Sequence, residues 1–439
     1  SLWVSMMTSK VTVMAASSAF VIVASLWLLL RRQKRQHRRA QQLASLLAEF
    51  SVEAEVAIVL ALKCGDAMRD CVRGKVEWKD ADGIDPVTQT DQDNEVLVTK
   101  GLLAAFPGHL VIGEEAAAGA KRIPPLRNDA PTWIVDPIDG TQNFTHGARL
   151  SAVSIGLCVE GHPVLGVVYD PYADEVFVGA RGQGSFCNGD PIRVDDSVTT
   201  LQRALVGCDV GYDRSSAGIA KMTSGFSELL KKRTQSLRIL GSSVLSLVWV
   251  ACGRANAFVI GAHDEGGKPW DYCAAFVIAT EAGALFRRLD NRSYNDDDED
   301  DDADKKKSSS GAAKEKEGKE GGADDDSDNS SWSTLEELAD FDIYSKSCVC
   351  AGTPELAEEI SEAFSAYYDS EDSEDSEDEQ MNGFSAADRG VDQDWGVQDA
   401  PFKMLLLVNQ ELFDAKGKPK KMTAGKVREH ANQPNPLSC

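Results

Sequence analysis

The chain has 439 residues, 42% of them hydrophobic, and a formal net charge of −24. That length holds two or three domains of average size and supports a sizeable core. The acidity argues against sequence-independent nucleic-acid binding, which depends on clustered positive charge. Ten cysteines stand without CxxC pairs or zinc-like spacing, which fits reduced thiols in a cytosolic or organellar interior.

Residues 11–30 carry no charged side chain, and Arg31, Arg32, Lys34, Arg35, Arg38 and Arg39 follow at once. As a helix the apolar run is about 30 Å long, enough to cross a bilayer, and a basic flank stays on the cytosolic side. The expectation is a single-pass membrane anchor and basic flank over 1–39, with a cytosolic catalytic region. A cleaved signal or organelle-targeting sequence and a buried core helix are the alternatives; the first is the stronger. A cleaved signal would carry its charge ahead of the apolar region, where Lys10 stands alone.

From 41 to 71, Leu43, Leu46, Leu47, Phe50, Ala54, Ala57, Ile58, Ala61 and Leu62 recur at three- and four-residue steps and predict one long amphipathic helix. A loop over 83–88 precedes a second helix from Thr90 or Asp91, ended by Pro107-Gly108. Residues 110–115 form a short strand ending in Glu114 and Glu115. Trp133, Ile134 and Val135 read as a buried strand. Asp136 and Asp139 stand where it ends, Pro137 and Gly140 force a turn, and Thr141 follows. Carboxylates this crowded repel unless a proton or cation intervenes, and hard divalent cations such as Mg²⁺ take such oxygen ligands.

Strands follow over 152–159, 164–169, 175–180 and 185–187; the glycine cluster at 179–184 lies between strands and reads as hairpin turns. A strand over 237–240 leads into a helix over 242–252, then a strand over 257–260 and a helix over 271–282. Gly241-Ser242-Ser243 opens a helix after a strand, where free N–H groups suit an anion and Ser242 suits an N-cap. Residues 295–331 are acidic, rich in Ser and Gly, and nearly without apolar side chains, the composition of a disordered insertion. Structure resumes over 334–338, with a strand over 347–351 and a helix over 353–364, before a second acidic tract over 369–379 that reads as a solvated linker.

Four motifs, in order, resemble those of the inositol monophosphatase family of Mg²⁺-dependent, Li⁺-inhibited phosphatases. They are Asp85-Pro86-Val87-Thr88-Gln89-Thr90-Asp91, Gly113-Glu114-Glu115, the run from Asp136 to Phe144, and Trp270-Asp271. The resemblance covers roughly 45–290 and resumes over 340–366. It implies an α/β fold, a layered α/β/α/β/α sandwich that is often dimeric, and here it carries the N-terminal transmembrane helix and disordered acidic insertions. It implies two or three Mg²⁺ ions: Glu114 as a ligand that also orients the attacking water, Asp136 as the bridging ligand, and the Ile138 carbonyl. Asp139 and Asp271 serve the second ion, and Asp91 a weaker third. Thr141 would polarise the water, with Glu114 and Asp91 acting beside it in catalysis. Gly140, Thr141, Gly241, Ser242 and Ser243 would contact substrate. One departure bears on substrate: inositol-specific members carry a Glu that touches a ring hydroxyl, and Ile260 stands at that position here. Asp264 and Glu265, in a longer loop, are candidates to replace it.

The expected organisation is an anchor over 1–39, the phosphatase domain over 40–294, the insertion over 295–331, the domain's last strand and helix over 332–368, a linker over 369–400 and a C-terminal segment over 401–439. In that segment, 402–412 and Met422-Thr423-Ala424-Gly425-Lys426-Val427 resemble the first strand and helix start of an archaeal/eukaryotic-type peptidyl-tRNA hydrolase. Arg428-Glu429-His430 replaces the usual continuation and the rest of such a domain is missing, so the segment reads as a truncated remnant. The expected function is a Mg²⁺-dependent phosphomonoesterase converting inositol monophosphate to inositol and phosphate. Its partners are a small phosphorylated substrate, the membrane through 11–30, and a second copy of the chain, with no nucleic acid. The rivals are a phosphatase for fructose bisphosphate, adenosine 3′,5′-bisphosphate or histidinol phosphate, and a non-catalytic membrane-anchored scaffold.

Overall fold

A computed structural model describes residue 27 and residues 30–71, 76–79, 86–118, 123–261, 266–289 and 341–365. The first helix, α1, spans 30–44, and α2 spans Ser51–Asp70. The long helix expected over 41–71 is therefore two, because Phe50 adopts a left-handed conformation (φ 61°) and turns the chain between them. A two-stranded ribbon, β1 (Val76–Trp78) and β2 (Pro86–Thr88), leads into α3 (Gln89–Ala105).

The larger sheet has seven strands in chain order: β3 (Leu110–Gly113), β4 (Thr132–Asp139), β5 (Ala152–Val159), β6 (His162–Asp170), β7 (Glu175–Ala180), β8 (Ser185–Cys187) and β9 (Asp190–Pro191). Only β3 and β4 are parallel. Short helices α4 (Glu114–Ala118) and α5 (Thr141–His146) leave the ends of β3 and β4. The second sheet has the order β11-β10-β12-β14-β13, built from β10 (Leu205–Cys208), β11 (Ser236–Ile239), β12 (Ala257–Ile260), β13 (Leu285–Arg287) and β14 (Cys348–Ala351). Its helices are α6 (Ser216–Lys231), α7 (Ser243–Ala251), α8 (Pro269–Glu281) and α9 (Pro354–Ser365).

Strand alternation sorts the side chains into three cores. Trp133, Val135, Val153, Ile155 and Leu157 face α1, α2 and α3. Ile134, Ala152 and Cys158 face the opposite way, onto α7 and α8, where Phe258, Ile260, Cys348 and Cys350 of the second sheet meet them. Val206, Ala257, Val259 and Val349 point to the far side, under Leu229 of α6 and Leu356, Ile360 and Phe364 of α9. The layers are helices, sheet, helices, sheet, helices: the expected α/β/α/β/α sandwich.

The transmembrane element of that expectation is corrected. No helix among the described residues is long and apolar enough to cross a membrane. Of the apolar run 11–30, only Trp27 and Leu30 are among the described residues, each half exposed. The basic residues read as a membrane flank belong instead to α1, and two of them tie it to the folded domain. Arg32 pairs with Asp66 and Asp70. Arg39 bonds the Asp174 carboxylate at 2.5 Å and the Asn188 side chain at 2.7 Å, while Ala40, Leu43, Ala44 and Leu47 are buried. Cationic side chains held by carboxylates of the same chain need no lipid surface to account for them. The membrane as partner, the single-pass topology with a cytosolic face, and the anchored scaffold all rested on that span and fall with it. Both acidic tracts, the 334–338 element and the C-terminal segment 401–439 lie outside the described residues.

Candidate active site

The end of β4 is where the fold concentrates charge. Along a regular strand, residues three apart point to opposite faces. Asp136 pairs with Ser154 and Asp139 with Ala152, so β4 spends one residue more than β5 over this interval. That bulge, at Pro137-Ile138, reverses the alternation and brings both aspartates to the side of α8. Asp271, at the start of α8, completes a cluster in which one carboxylate oxygen from each of Asp136, Asp139 and Asp271 lies within 4.8 Å of the others. The Ser154 hydroxyl donates to the Trp270 carbonyl at 3.2 Å and the Lys268 N–H to Asp271 at 2.7 Å, fixing the helix start against the sheet.

Glu114 opens α4 beside this cluster and lines the same cavity of about 330 Å³, with Asp136, Ile138, Asp139, Thr141 and Asp271. Burial, with the charges of Glu114 and Asp139 added, pushes the Asp136 carboxyl well above the usual carboxylate range. Asp139 is raised by burial and by Asp271, and Asp271 goes up to about 7, again mainly by burial. Acids so displaced are short of positive charge, and an oxygen-only donor set of this kind suits a divalent cation such as Mg²⁺. Among the described residues the Lys79 ammonium, 11% exposed, is paired with these acids, 2.8 Å from Glu114 and 2.9 Å from Glu115.

Asp91 stands apart from the triad. It is fully buried, accepts the Thr88 N–H at 2.9 Å in a capping box, and lies 3.1 Å from the Thr141 hydroxyl. Burial pushes it up to about 6 against the Thr88 hydrogen bonds. Thr141 Oγ1 is also 2.9 Å from the Ile138 carbonyl. A hydroxyl has one proton, so it donates to one of these at a time and keeps lone pairs for a water.

Gly140 has φ 78°, and a Cβ there would stand 2.8 Å from the Leu150 carbonyl and 2.9 Å from that of Gly241. Only glycine passes this crossing. The Asn143 amide lies 2.7 Å from the Leu240 carbonyl and 3.0 Å from that of Gly241, joining α5 to the loop before α7. Gly241 and Ser243 line the cavity. Ser242 is buried; its hydroxyl donates to Asp139 and accepts the Leu245 N–H, so it caps α7 and steadies a carboxylate. Sequence reasoning missed three residues: Lys79, Asn143 and Glu95. The Glu95 carboxylate accepts the N–H groups of Glu115 and Ala116 at 2.7 and 2.9 Å and so orients the start of α4. The signal for Glu95 was an acid on the buried face of α3; Lys79 comes from the ribbon and has no pattern around it. Asp85, Asp264 and Glu265 lie outside the described residues.

The model of the inositol monophosphatase family matches residues 50–367. Inositol monophosphatase 2 of Solanum lycopersicum is 43% identical over 231 residues, 53% of this chain and 85% of that protein. Inositol monophosphatase 2 of Homo sapiens is 39% identical over 234 residues, 53% of this chain and 78% of that protein. The solved inositol monophosphatase from Anabaena shares the fold with a TM-score of 0.51 at 24% identity, over 73% of this chain and 97% of that one.

Proposed function

This chain belongs to the inositol monophosphatase family and is a phosphatase of it, and we propose that its substrate is inositol monophosphate, split to inositol and inorganic phosphate with Mg²⁺ as cofactor. The observation that carries this reading is the Asp136–Asp139–Asp271 cluster with the Thr141 hydroxyl beside it. Glu114, Asp136, the Ile138 carbonyl, Asp139 and Asp271 would hold two Mg²⁺ ions, and Asp91 would border a third. Bound there, Mg²⁺ supplies Lewis acidity and offsets the charge of the phosphate.

The chain's own groups do the rest. Asp91 holds the Thr141 side chain, and Thr141 with Glu114 orients a water. The N–H groups of Gly140, Thr141, Gly241 and Ser243 receive phosphate oxygens, while Ser242 keeps Asp139 in place. Water adds to phosphorus in line as the ester P–O bond breaks, and the alcohol leaves with a proton. No side chain becomes covalently attached. Most of the work is positioning and charge compensation, as phosphoryl transfer requires.

One observation supports a second reading. Ile260, buried in the cavity wall, offers a ring hydroxyl nothing to bond. Fructose bisphosphate, adenosine 3′,5′-bisphosphate and histidinol phosphate are therefore the rival substrates. Phosphate release over this panel, with Mg²⁺ and with chelator, decides. The expected result is the highest kcat/KM for inositol monophosphate and no turnover with chelator; a rival with the higher value overturns the substrate assignment.

A further inference from the structure

The cavity has two walls. One is the carboxylate-dense end of β4 with the start of α8. The other is formed where the parallel strands β10 and β12 end, the place where open α/β sheets receive ligands. Their register pairs Cys208 with Val259, and the next residues along the two strands are Asp209 and Ile260. Both line the cavity, with Ile239 and Leu240 beside them. Asp209 thus brings a carboxylate to the wall one strand away from the apolar Ile260.

Its chemistry differs from that of the other acids. Asp209 is outside the close triad of Asp136, Asp139 and Asp271. The Val210 N–H donates to it at 2.7 Å, and the Gly211 N–H and the Ser243 hydroxyl also bond it. An ionised carboxylate offers about four acceptor sites and no donor. Three are answered by the protein, which fixes the group and leaves one for whatever fills the cavity. A fixed acceptor beside apolar neighbours selects a ligand with hydroxyl donors, because a carboxylate that a ligand covers without pairing loses its water at a cost.

We infer, on the reading that this site hydrolyses small phosphate esters, that Asp209 is a specificity-determining residue: it accepts a hydroxyl from the alcohol part of the substrate and selects phosphates of polyhydroxylated rings. Charge at Asp209 serves the leaving alcohol, whereas charge on the β4 wall serves the phosphate.

The test compares inositol monophosphate with cyclohexyl phosphate, the same ring without hydroxyls, on the full chain with Mg²⁺. In Asp209→Ala the ratio of kcat/KM for the two substrates should fall about tenfold or more, carried by KM, the size expected for losing a hydrogen bond to a charged group. Asp209→Asn, which keeps a carbonyl acceptor and nearly the same shape, should fall between Asp209→Ala and wild type; its melting temperature checks folding. Ring-deoxy inositol phosphates give a second measurement. Removing the bonded hydroxyl should penalise the wild type most, Asp209→Asn less, and Asp209→Ala hardly at all. An unchanged ratio, or equal losses on both substrates with weakened Mg²⁺ binding, overturns this inference alone. No phosphate release by the wild type from either substrate overturns the hydrolase reading, and this inference with it.

Discussion

The two sheets reach the same cavity with opposite economies of charge. The end of β4 crowds Asp136 and Asp139 against Glu114 and Asp271, all drawn out of water with too little positive charge to balance them. The ends of β10 and β12 bring isoleucine and a single aspartate whose bonds are mostly satisfied by its own loop. The contrast separates reaction type from selectivity. A dense, repulsive wall needs cations and so specifies phosphate chemistry, while a sparse wall only discriminates among alcohols.

The sharpest way to break this division is Asp136→Asn. If Asp136 bridges two cations, losing its charge weakens both sites, and activity at saturating Mg²⁺ should fall more than about tenfold, or ~1.4 kcal/mol of barrier. A variant keeping more than that would show the dense wall to be ordinary. Its metal-free fold should persist, since a buried, repelled charge is being removed; circular dichroism checks this. Next in size is Thr141→Val, which removes the hydroxyl beside Asp91 and Ile138. A loss of about a hundredfold in kcat with little change in KM is expected for a group that positions the attacking water.

Proton linkage sharpens the comparison further. The dense wall holds Asp271 at about 7, and behind it Glu115, next to Glu114, is raised to about 8, against ordinary values of 3.8 and 4.5. Folded carboxyls raised in this way bind more protons than the unfolded chain. The metal-free protein should therefore be most stable near pH 4 to 5 and lose stability as pH rises through about 7 to 8. Mg²⁺ competes with those protons, so the melting-temperature gain it gives should grow from pH 5.5 to 8, values of about this size following from the same linkage. A gain independent of pH would mean that Asp271 does not hold the metal.

Away from the cavity the effects should shrink. Arg39→Ala breaks contacts with the partly exposed Asp174 and with Asn188, and should cost about 1 kcal/mol or less of stability, read by denaturant titration, with kcat unchanged. Deleting residues 295–331 should change least. The Leu289 N–H bonds the Ser347 hydroxyl at 3.0 Å, and β13 pairs antiparallel with β14, so the chain leaves and re-enters the domain at neighbouring points. Loop closure costs grow slowly with length, and activity and melting temperature should stay near those of the parent.

The difference between the walls also marks what the sequence disclosed. The dense wall was legible because several rare features coincide at short range: Asp136, Asp139 and Thr141 within one turn, and the acids at Glu114 and Asp271 each heading a helix. The second wall was not. β10 is short, carries Gly207 within it, and is followed by Asp209 without a flanking motif; its meaning comes from lying beside β12, a contact between residues far apart in the chain. The break at Phe50 escaped because neither glycine nor proline marks it. The N-terminal reading misplaced the basic residues because a basic run suits the flank of a membrane anchor and an exposed helix face equally well; Asp66 and Asp174, which engage Arg32 and Arg39, lie well along the chain.

The bulge at Pro137-Ile138 has a consequence for how the chain tolerates insertions and deletions. A strand counts in twos, and β4 holds its aspartates together by adding one to the count. Were the bulge ironed out at native length, regular alternation would turn Asp139 toward the α2 layer, although every acidic side chain would still be there. Deleting one residue at 137–138 would instead remove the bulge and leave the two aspartates two apart on one face, and inserting one would need a second extra residue to be bulged out. A site of this kind is encoded as a number as much as a set of residue types, because the spacing of the acids and the bulge between them must match, a rule that no inventory of side chains would reveal.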